Sequence, residues 1–386
     1  VEEPKESFDR LQRLGQVRIA LDALMQIDAY AWDQRGVLTL RGRFLQPAEQ
    51  IYRSIRQRLE ALELTPMLRS GTTYDELVAL PGVFHAPAQR LGLPVVLFLL
   101  TIVTTIWAGA LQVVTPPPNV AENPLAFLWE VLITPALFLQ GLPFALTLLT
   151  ILFTHEMGHY LVGRWRGAPV SLPYFIPLPP LISFTGTMGA VIVQREPLED
   201  RRTILEVGIA GPIAGLLVAI PLLIYGLATS TVGPPPAAGY LQEGNSLLYA
   251  ALKWLVFQQW LPSNGVDVQL NPIAFGAWIG LLVTMLNLMP IGQLDGGHIA
   301  YAWLGERSVY LAYAMIAICA VLGILIPDNQ VWLIWGVMAL LIGARHPEPL
   351  NNVSTLSRGH IVLAIVGLLL FVLLFMPSPL VEIGAS

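Results

Sequence analysis

Charge is scarce in this chain. Of its 386 residues only 12% are Asp, Glu, Lys or Arg, against roughly a quarter in a soluble domain. That is too little to cover the surface of a soluble protein of this length. It excludes a disordered chain, a coiled coil and a simple soluble enzyme. Cysteine is scarcer still: Cys319, in an apolar run, is the only one. An intramolecular disulfide and a cysteine-rich metal site are therefore excluded. An excess of basic residues is also missing. The net charge is −5 with no basic patch, so no nucleic-acid partner is expected. What fills the chain instead is apolar: 55% hydrophobic residues and a mean hydropathy of +0.63. The composition is that of a polytopic α-helical membrane protein.

The few charges are unevenly spread. Residues 1–92 hold 24 of the 47, and the other 294 residues hold the remaining 23. Residues 1–92 read as an N-terminal cytosolic α+β domain. Strand character appears at 37–40 and 76–80. Residues 47–63 set Ile51, Ile55, Leu59 and Leu62 at helical spacing. Residues 93–378 read as a membrane-embedded domain with its core at 140–300, and 379–386 as a C-terminal tail. Apolar stretches near the roughly 20 residues needed to span a bilayer lie at 93–114, 142–163, 203–227, 272–290, 307–327, 329–345 and 359–377. About seven transmembrane helices (6–8) are expected. The last pair is separated only by Asp328 and its neighbours.

Arginines orient these spans. Loop 164–202 holds Arg164, Arg166, Arg195, Arg201 and Arg202, and Arg307, Arg345 and Arg358 fall on the same side. The opposite side, 115–141 plus 228–271, holds only Lys253. Eight against one puts the N-terminal domain and loop 164–202 in the cytoplasm, in the reading adopted here of a bacterial plasma membrane. Two further stretches are not spans. The run 184–194 reads as a strand at the membrane surface, a small β element. The run 246–261, with Trp254 and Trp260, reads as an amphipathic interfacial helix.

The second span ends in His155-Glu156-Met157-Gly158-His159. On a helix, histidines four apart lie about 40° around and about 6 Å along the axis. Both imidazoles can then reach one Zn²⁺, with Glu156 beside them as general base. Ionisable groups are costly inside an apolar span and mark function there. A catalytic zinc takes three protein ligands and keeps one position open. Asp295 is the only acid between Asp267 and Glu306, and Gly296-Gly297 let the backbone bend close to it. Pro290 breaks the preceding span and frees carbonyls nearby. A helix-ending loop with an Asp cap is the plainer alternative. Depth is an independent check. His155 lies about 20 Å along its helix from Leu142, roughly 10 Å inside the cytoplasmic face. Asp295 ends an outward-to-inward span and arrives at that same face.

With both motifs in view, the sequence resembles the site-2 protease family of intramembrane zinc metalloproteases. The matching parts are His155–His159 and Asn287-Leu-Met-Pro-Ile-Gly-Gln-Leu-Asp-Gly-Gly297. Gly186-Thr-Met-Gly-Ala-Val-Ile and Gly211-Pro-Ile-Ala-Gly between them are also similar to the family's core. The resemblance implies that His155, His159 and Asp295 ligate one zinc and that Glu156 is the base. It implies that Asn287 holds or polarises the substrate peptide. It also implies that a strand around Gly186, Thr187 and Gly189 pairs with an unwound substrate segment. A soluble domain before the first span, with no room for a PDZ domain between spans, is similar to the plant-chloroplast and cyanobacterial group.

The implied activity is an intramembrane endopeptidase of regulated intramembrane proteolysis. Its partners would be membrane proteins with a transmembrane helix, within a lipid bilayer, cut by Glu-assisted attack of zinc-bound water. The alternatives are a non-catalytic relative that binds membrane helices and a metal or ion transporter. Retention of Glu156 and all three ligands speaks against the first, and the absence of an inverted repeat against the second. Among other polar residues, Glu206 reads as a partner of Arg201 or Arg202 or a group behind the metal ligands. His298 reads as an orienting group or a loop histidine. Glu130 carries no assignment. His85, His346 and His360 read as solvated.

Overall fold

The computed structural model describes residues 4–71, 73–83, 91–117, 120–194, 196–234, 240–326 and 329–383. His85, Arg195 and Asp328 lie outside the described residues. The chain divides into two compact units. One comprises 1–87, 194–204 and 347–360; the other comprises 88–193, 205–346 and 361–386.

The first unit is built on α1 (Pro4–Ala20), β1 (Met25–Trp32), β2 (Leu38–Phe44), α2 (Ala48–Glu60), β3 (Leu64–Ser70) and β4 (Asp75–Pro81). The strands form an antiparallel sheet in the order β1-β2-β4-β3. Alternation sets its faces: Leu38 and Leu40 of β2 are fully buried while Arg41 points outward. In α2, Ile51, Tyr52, Ile55 and Leu59 make the buried stripe of an amphipathic helix. The core of Leu14, Val17, Leu21, Leu40, Ile55, Leu68 and Leu77 also includes Leu350, nearly 300 residues away in sequence.

That distant residue belongs to a strip laid beside β3. The Leu68 amide donates to the Leu350 carbonyl at 2.7 Å, and the Asn352 amide donates to the Leu68 carbonyl at 3.0 Å. The same strip holds the other inserted segment: the Asn351 amide donates to the Glu199 carbonyl at 2.7 Å. Ion pairs repeat the pattern. Arg56 pairs with Glu196 at 3.2 Å, Arg69 with Glu348 at 2.7 Å and Arg202 with Glu49 at 2.8 Å. A domain ending at residue 92 is what local sequence patterns can express; the compact unit takes in two later segments as well.

The second unit is mostly helical. It runs through α3 (Gly92–Val113), α4 (Pro124–Ile133), α5 (Pro135–Phe138), α6 (Leu142–Trp165), β5 (Tyr174–Pro177), β6 (Thr187–Val191), α7 (Arg201–Ala228, from Leu205 onward), β7 (Thr231–Gly233) and β8 (Tyr240–Glu243). It continues with α8 (Leu247–Phe257), β9 (Asp267–Gln269), α9 (Pro272–Asn287), α10 (Asp295–Leu304), α11 (Ser308–Leu325), α12 (Val331–Ile342), α13 (Arg358–Leu374, from Ile361 onward) and β10 (Leu380–Ile383). Among the described residues, four helical stretches are long and apolar enough to cross a membrane: Gly92–Val113, Pro135–Trp165, Arg201–Ala228 and Asp295–Leu325. Each of the seven expected stretches holds a helix. Those of α9, α12 and α13 are shorter, at 16, 12 and 17 residues.

Local chemistry starts and stops these helices. Asn271 caps α9 by accepting from the Ala274 amide at 2.9 Å, with Pro272 in the first turn. Ser246 caps α8 in the same way at 3.1 Å, and Gln258 ends it in the left-handed region. Glycines let α6 sit close to α9: a Cβ on Gly276 would lie 3.0 Å from the Phe144 carbonyl, and one on Gly280 would press on Ile151. The surface strand expected at 184–194 is β6, paired antiparallel with β5. Half of the expected tail is β10, which pairs with β8.

Candidate metal centre

Helix α6 carries His155, Glu156 and His159 on faces turned into the protein. His155 and Glu156 are buried, and His159 nearly so. Asp295 opens α10. The Gly pair after it makes that position possible: side chains at 296 and 297 would overlap the backbone carbonyls of Leu288 and Gly292. The turn after α9 is thus folded tightly over the first turn of α10. That brings the carboxylate to the two imidazoles. His155 Nε2 lies 3.2 Å from Asp295 Oδ2, His159 Nε2 lies 3.3 Å from Asp295 Oδ1, and the two Nε2 atoms are 3.2 Å apart.

The fit to a metal follows from these atoms. Donors about 2.0–2.1 Å from one tetrahedral zinc stand roughly 3.3–3.4 Å apart, close to the spacing found. Val207 of α7 supplies the tautomer: its carbonyl lies 2.7 Å from His159 Nδ1 and can only accept, so Nδ1 carries the proton and Nε2 keeps its lone pair. Asp295 Oδ2 is buried with no hydrogen-bond partner, a costly arrangement that a cation relieves. Two neutral imidazoles and one carboxylate are a donor set suited to zinc. Among the described residues, His155, His159 and Asp295 are the only such metal-capable group.

Helix α7 forms the back wall. A side chain at Gly211 would overlap the His159 ring, and one at Gly215 would stand 3.2 Å from His155. A Cβ on Gly208, three residues before Gly211, would lie 2.7 Å from the His298 Cβ. Gly158 of α6 answers from the other side, where a Cβ would meet the Ala210 carbonyl at 2.6 Å. Pro212 leaves the Gly208 carbonyl without its helical N–H. The spacing of glycines at 208, 211 and 215 was a readable signal of close helix packing; the role of the Val207 carbonyl was not.

Other sequence-derived candidates distribute as follows. Asn287, at the end of α9, brings Nδ2 to 3.3 Å from His155 Nε2. Glu156 receives no hydrogen bond or ion pair from any described residue. Thr187 is buried and turned into its own hairpin, donating to the Ile176 carbonyl at 3.0 Å and accepting from the Gly189 amide at 3.0 Å. Gly186 presses on the Thr104 backbone of α3, with φ +76°. Gly189, with φ +93°, has open space where a side chain would be.

Two residues find partners that the sequence did not suggest. Glu206 pairs with Arg166: both carboxylate oxygens meet the guanidinium, which lies 4.7 Å from the Trp165 ring. The sequence suggested Arg201 or Arg202, its neighbours on the same helix. His346 is not a solvated residue. It is bonded to His298 and stacked on Tyr301, because the chain after α12 turns back along α10. His360 bonds to Ser357 Oγ at 2.6 Å. Glu130 is exposed on α4.

Comparison with known proteins agrees with this chemistry. Residues 143–326 match Peptidase family M50. Two Arabidopsis thaliana proteins are similar. The "Probable zinc metalloprotease EGY1, chloroplastic" is 30% identical over 298 residues, covering 73% of this chain and 52% of that one. The "Probable zinc metalloprotease EGY2, chloroplastic" is 30% identical over 251 residues, covering 64% and 43%. The Oryza sativa EGY1 counterpart is 30% identical over 245 residues, covering 62% and 41%. The chain thus spans about half the length of the curated relatives it matches. No solved structure matches it. Residues 143–326, which carry the two histidines, the glutamate and the aspartate, thus form a domain of peptidase family M50, the site-2 protease family, and the chain is similar to the chloroplastic zinc metalloproteases of plants.

Proposed function

We propose that this protein is an intramembrane zinc endopeptidase that cleaves transmembrane segments of membrane-protein substrates, the reaction of regulated intramembrane proteolysis. The observation that carries the reading is the convergence of His155, His159 and Asp295 within 4.8 Å, with Glu156 next to His155 in the sequence and buried. The names of the relatives supply the metal, zinc. His155 and His159 hold it through Nε2, and Asp295 holds it through its carboxylate. Zinc, when bound, supplies a Lewis acid that polarises the scissile carbonyl and acidifies the attacking water. Glu156 takes the proton of that water and delivers it to the leaving amine. Asn287 Nδ2 donates to the substrate backbone next to His155.

A helical substrate hides its carbonyls in i→i−4 bonds and must unwind before attack. Among the described residues no strand pairs with the second edge of β6. That edge offers an unwound segment new backbone partners, and Gly189 leaves room for it. Thr187 and Gly186 shape the hairpin that presents the edge. We further propose seven spans, with the arginine-rich loops and the N-terminal unit on the cytoplasmic side. The bacterial plasma membrane expected from the sequence has no counterpart among the relatives, whose names are chloroplastic. The orientation rests on charge alone and holds for either membrane.

The test is a pair of variants. Glu156→Gln is expected to keep one zinc per chain and to lose at least about 10²-fold in cleavage of a transmembrane substrate. His155→Ala is expected to lose the metal. Full cleavage by Glu156→Gln overturns the mechanism. Metal flux in proteoliposomes without proteolysis overturns the function.

A further inference from the structure

Among the described residues, one metal ligand, His159, has an orienting partner on the ring nitrogen away from the metal, and the Asp295 carboxylate has none. His159 donates to the Val207 carbonyl, and His155 is touched by Asn287. No described residue except these two histidines reaches the Asp295 carboxylate, and its Oδ2 has no hydrogen bond. The direction of Asp295 is therefore set by the first turn of α10 itself. Residues three apart share a helix face, so His298 lies on the face of Asp295. The His298 amide closes that first turn on the Leu294 carbonyl at 2.9 Å.

The same turn is gripped from outside by residues 343–346. A side chain at Gly292, in the loop before Asp295, would overlap the Gly343 carbonyl, so the two backbones are in direct contact. His346 Nε2 lies 2.6 Å from His298 Nδ1, one ring donating its proton to the other. The His346 ring also stacks on buried Tyr301, with centroids 4.4 Å apart and planes at 15°. Tyr301 follows His298 by three residues on α10. His346 thus holds two consecutive positions of one helix face, starting beside the metal ligand.

We propose that His346 is a positioning residue for the metal centre: through its bond to His298 it fixes the first turn of α10 and with it the direction of Asp295. The proposal rests on the zinc reading above. It assigns a function to two histidines outside the ligand set and makes the chain after α12 part of the catalytic apparatus.

The experiment is zinc affinity of the full-length chain in detergent, measured by chelator competition. The visible spectrum of the cobalt-substituted protein reports ligand geometry alongside it. His346→Phe keeps the stacking on Tyr301 and removes the bond; about tenfold weaker zinc binding and an altered cobalt spectrum are expected. His346→Gln, which can still bond to His298, is expected to restore affinity to within roughly threefold of wild type. His298→Leu removes the same bond from the other side and carries the test if His346→Phe does not accumulate. The double variant is expected to be no weaker than either single one. Wild-type affinity and spectrum in His346→Phe overturn the proposal. So do equal losses in His346→Gln and His346→Phe, or additive losses in the double variant. Asp295→Asn is the control. If it binds zinc as wild type does, the zinc reading itself falls; if it does not and His346→Phe does, only the positioning role falls.

Discussion

A methyl group at position 211 has nowhere to go, because the His159 ring already occupies the place of its Cβ. Gly211→Ala must displace either the imidazole or helix α7. We expect it to cost about 1–3 kcal/mol of stability and about tenfold or more in zinc affinity. Gly215→Ala meets His155 at 3.2 Å, where a shift of a few tenths of an ångström relieves the contact, so its loss should be smaller. Zinc titration of the two variants checks the order; equal effects would contradict it. At this scale the sequence was most legible where chemistry clashed with context. His155, Glu156, His159 and Asp295 stand out because charge is rare around them. The Val207 carbonyl was hidden because every residue has one. His346 was hidden because its partner is 48 residues away and its loop has no periodicity.

Between elements, the pairing of α6 with α7 decides whether Val207 meets His159. Arg166 follows the last residue of α6, and Glu206 precedes Val207 on α7. Their two-pronged ion pair therefore fixes the register at the end nearest the metal ligands. A lysine cannot reproduce that fork. Arg166→Lys is expected to cost about 1 kcal/mol and to weaken zinc binding by several-fold. Glu206→Gln should do the same, and the double variant should show less than the sum. Thermal unfolding and zinc titration together check this; additive effects would mean the pair is not coupled. Helix positions in this region were legible from long apolar runs, and β6 from its glycine-rich, β-branched composition. The partner of Glu206 was not, because the two charges stand 40 residues apart and only the folded chain brings them together.

For the whole molecule, the N-terminal unit is the part least legible in sequence. Residues 194–204 and 347–360 are short and largely polar, and their contacts reach across 140 to 306 positions. No local pattern records them. Their grip on α2 has a pH dependence. Glu49 accepts from the Thr355 amide at 3.0 Å and from Arg202 at 2.8 Å. The Thr355 bond first, and then the Arg202 charge, hold its carboxyl below the ordinary value of 4.5. A carboxyl lowered on folding stabilises the fold fully above its unfolded value, and that contribution is lost as pH falls through the folded one. Glu49→Gln should therefore lower the unfolding temperature by roughly 1–2 °C at pH 7, a modest effect because the group is partly exposed. Below about pH 4 the difference from wild type should fade. A constant difference across that range would refute the assignment.

The presence of Leu350 in the core built by Leu14, Leu40 and Leu68 also has a consequence in time. Synthesis proceeds at about 5–20 residues per second, so the strands and helices of this unit emerge well before the residue that completes their interior. Roughly 13 to 54 seconds separate residue 81 from Leu350 at those rates. Throughout that interval most of the membrane region is being made and inserted while the leading unit waits with its sheet edge uncovered at β3. The last piece to arrive comes only after the aspartate and both histidines of the metal centre have been synthesised. Closure of the N-terminal unit is therefore a late event in the birth of the molecule, and it reports that the metal centre has already been synthesised.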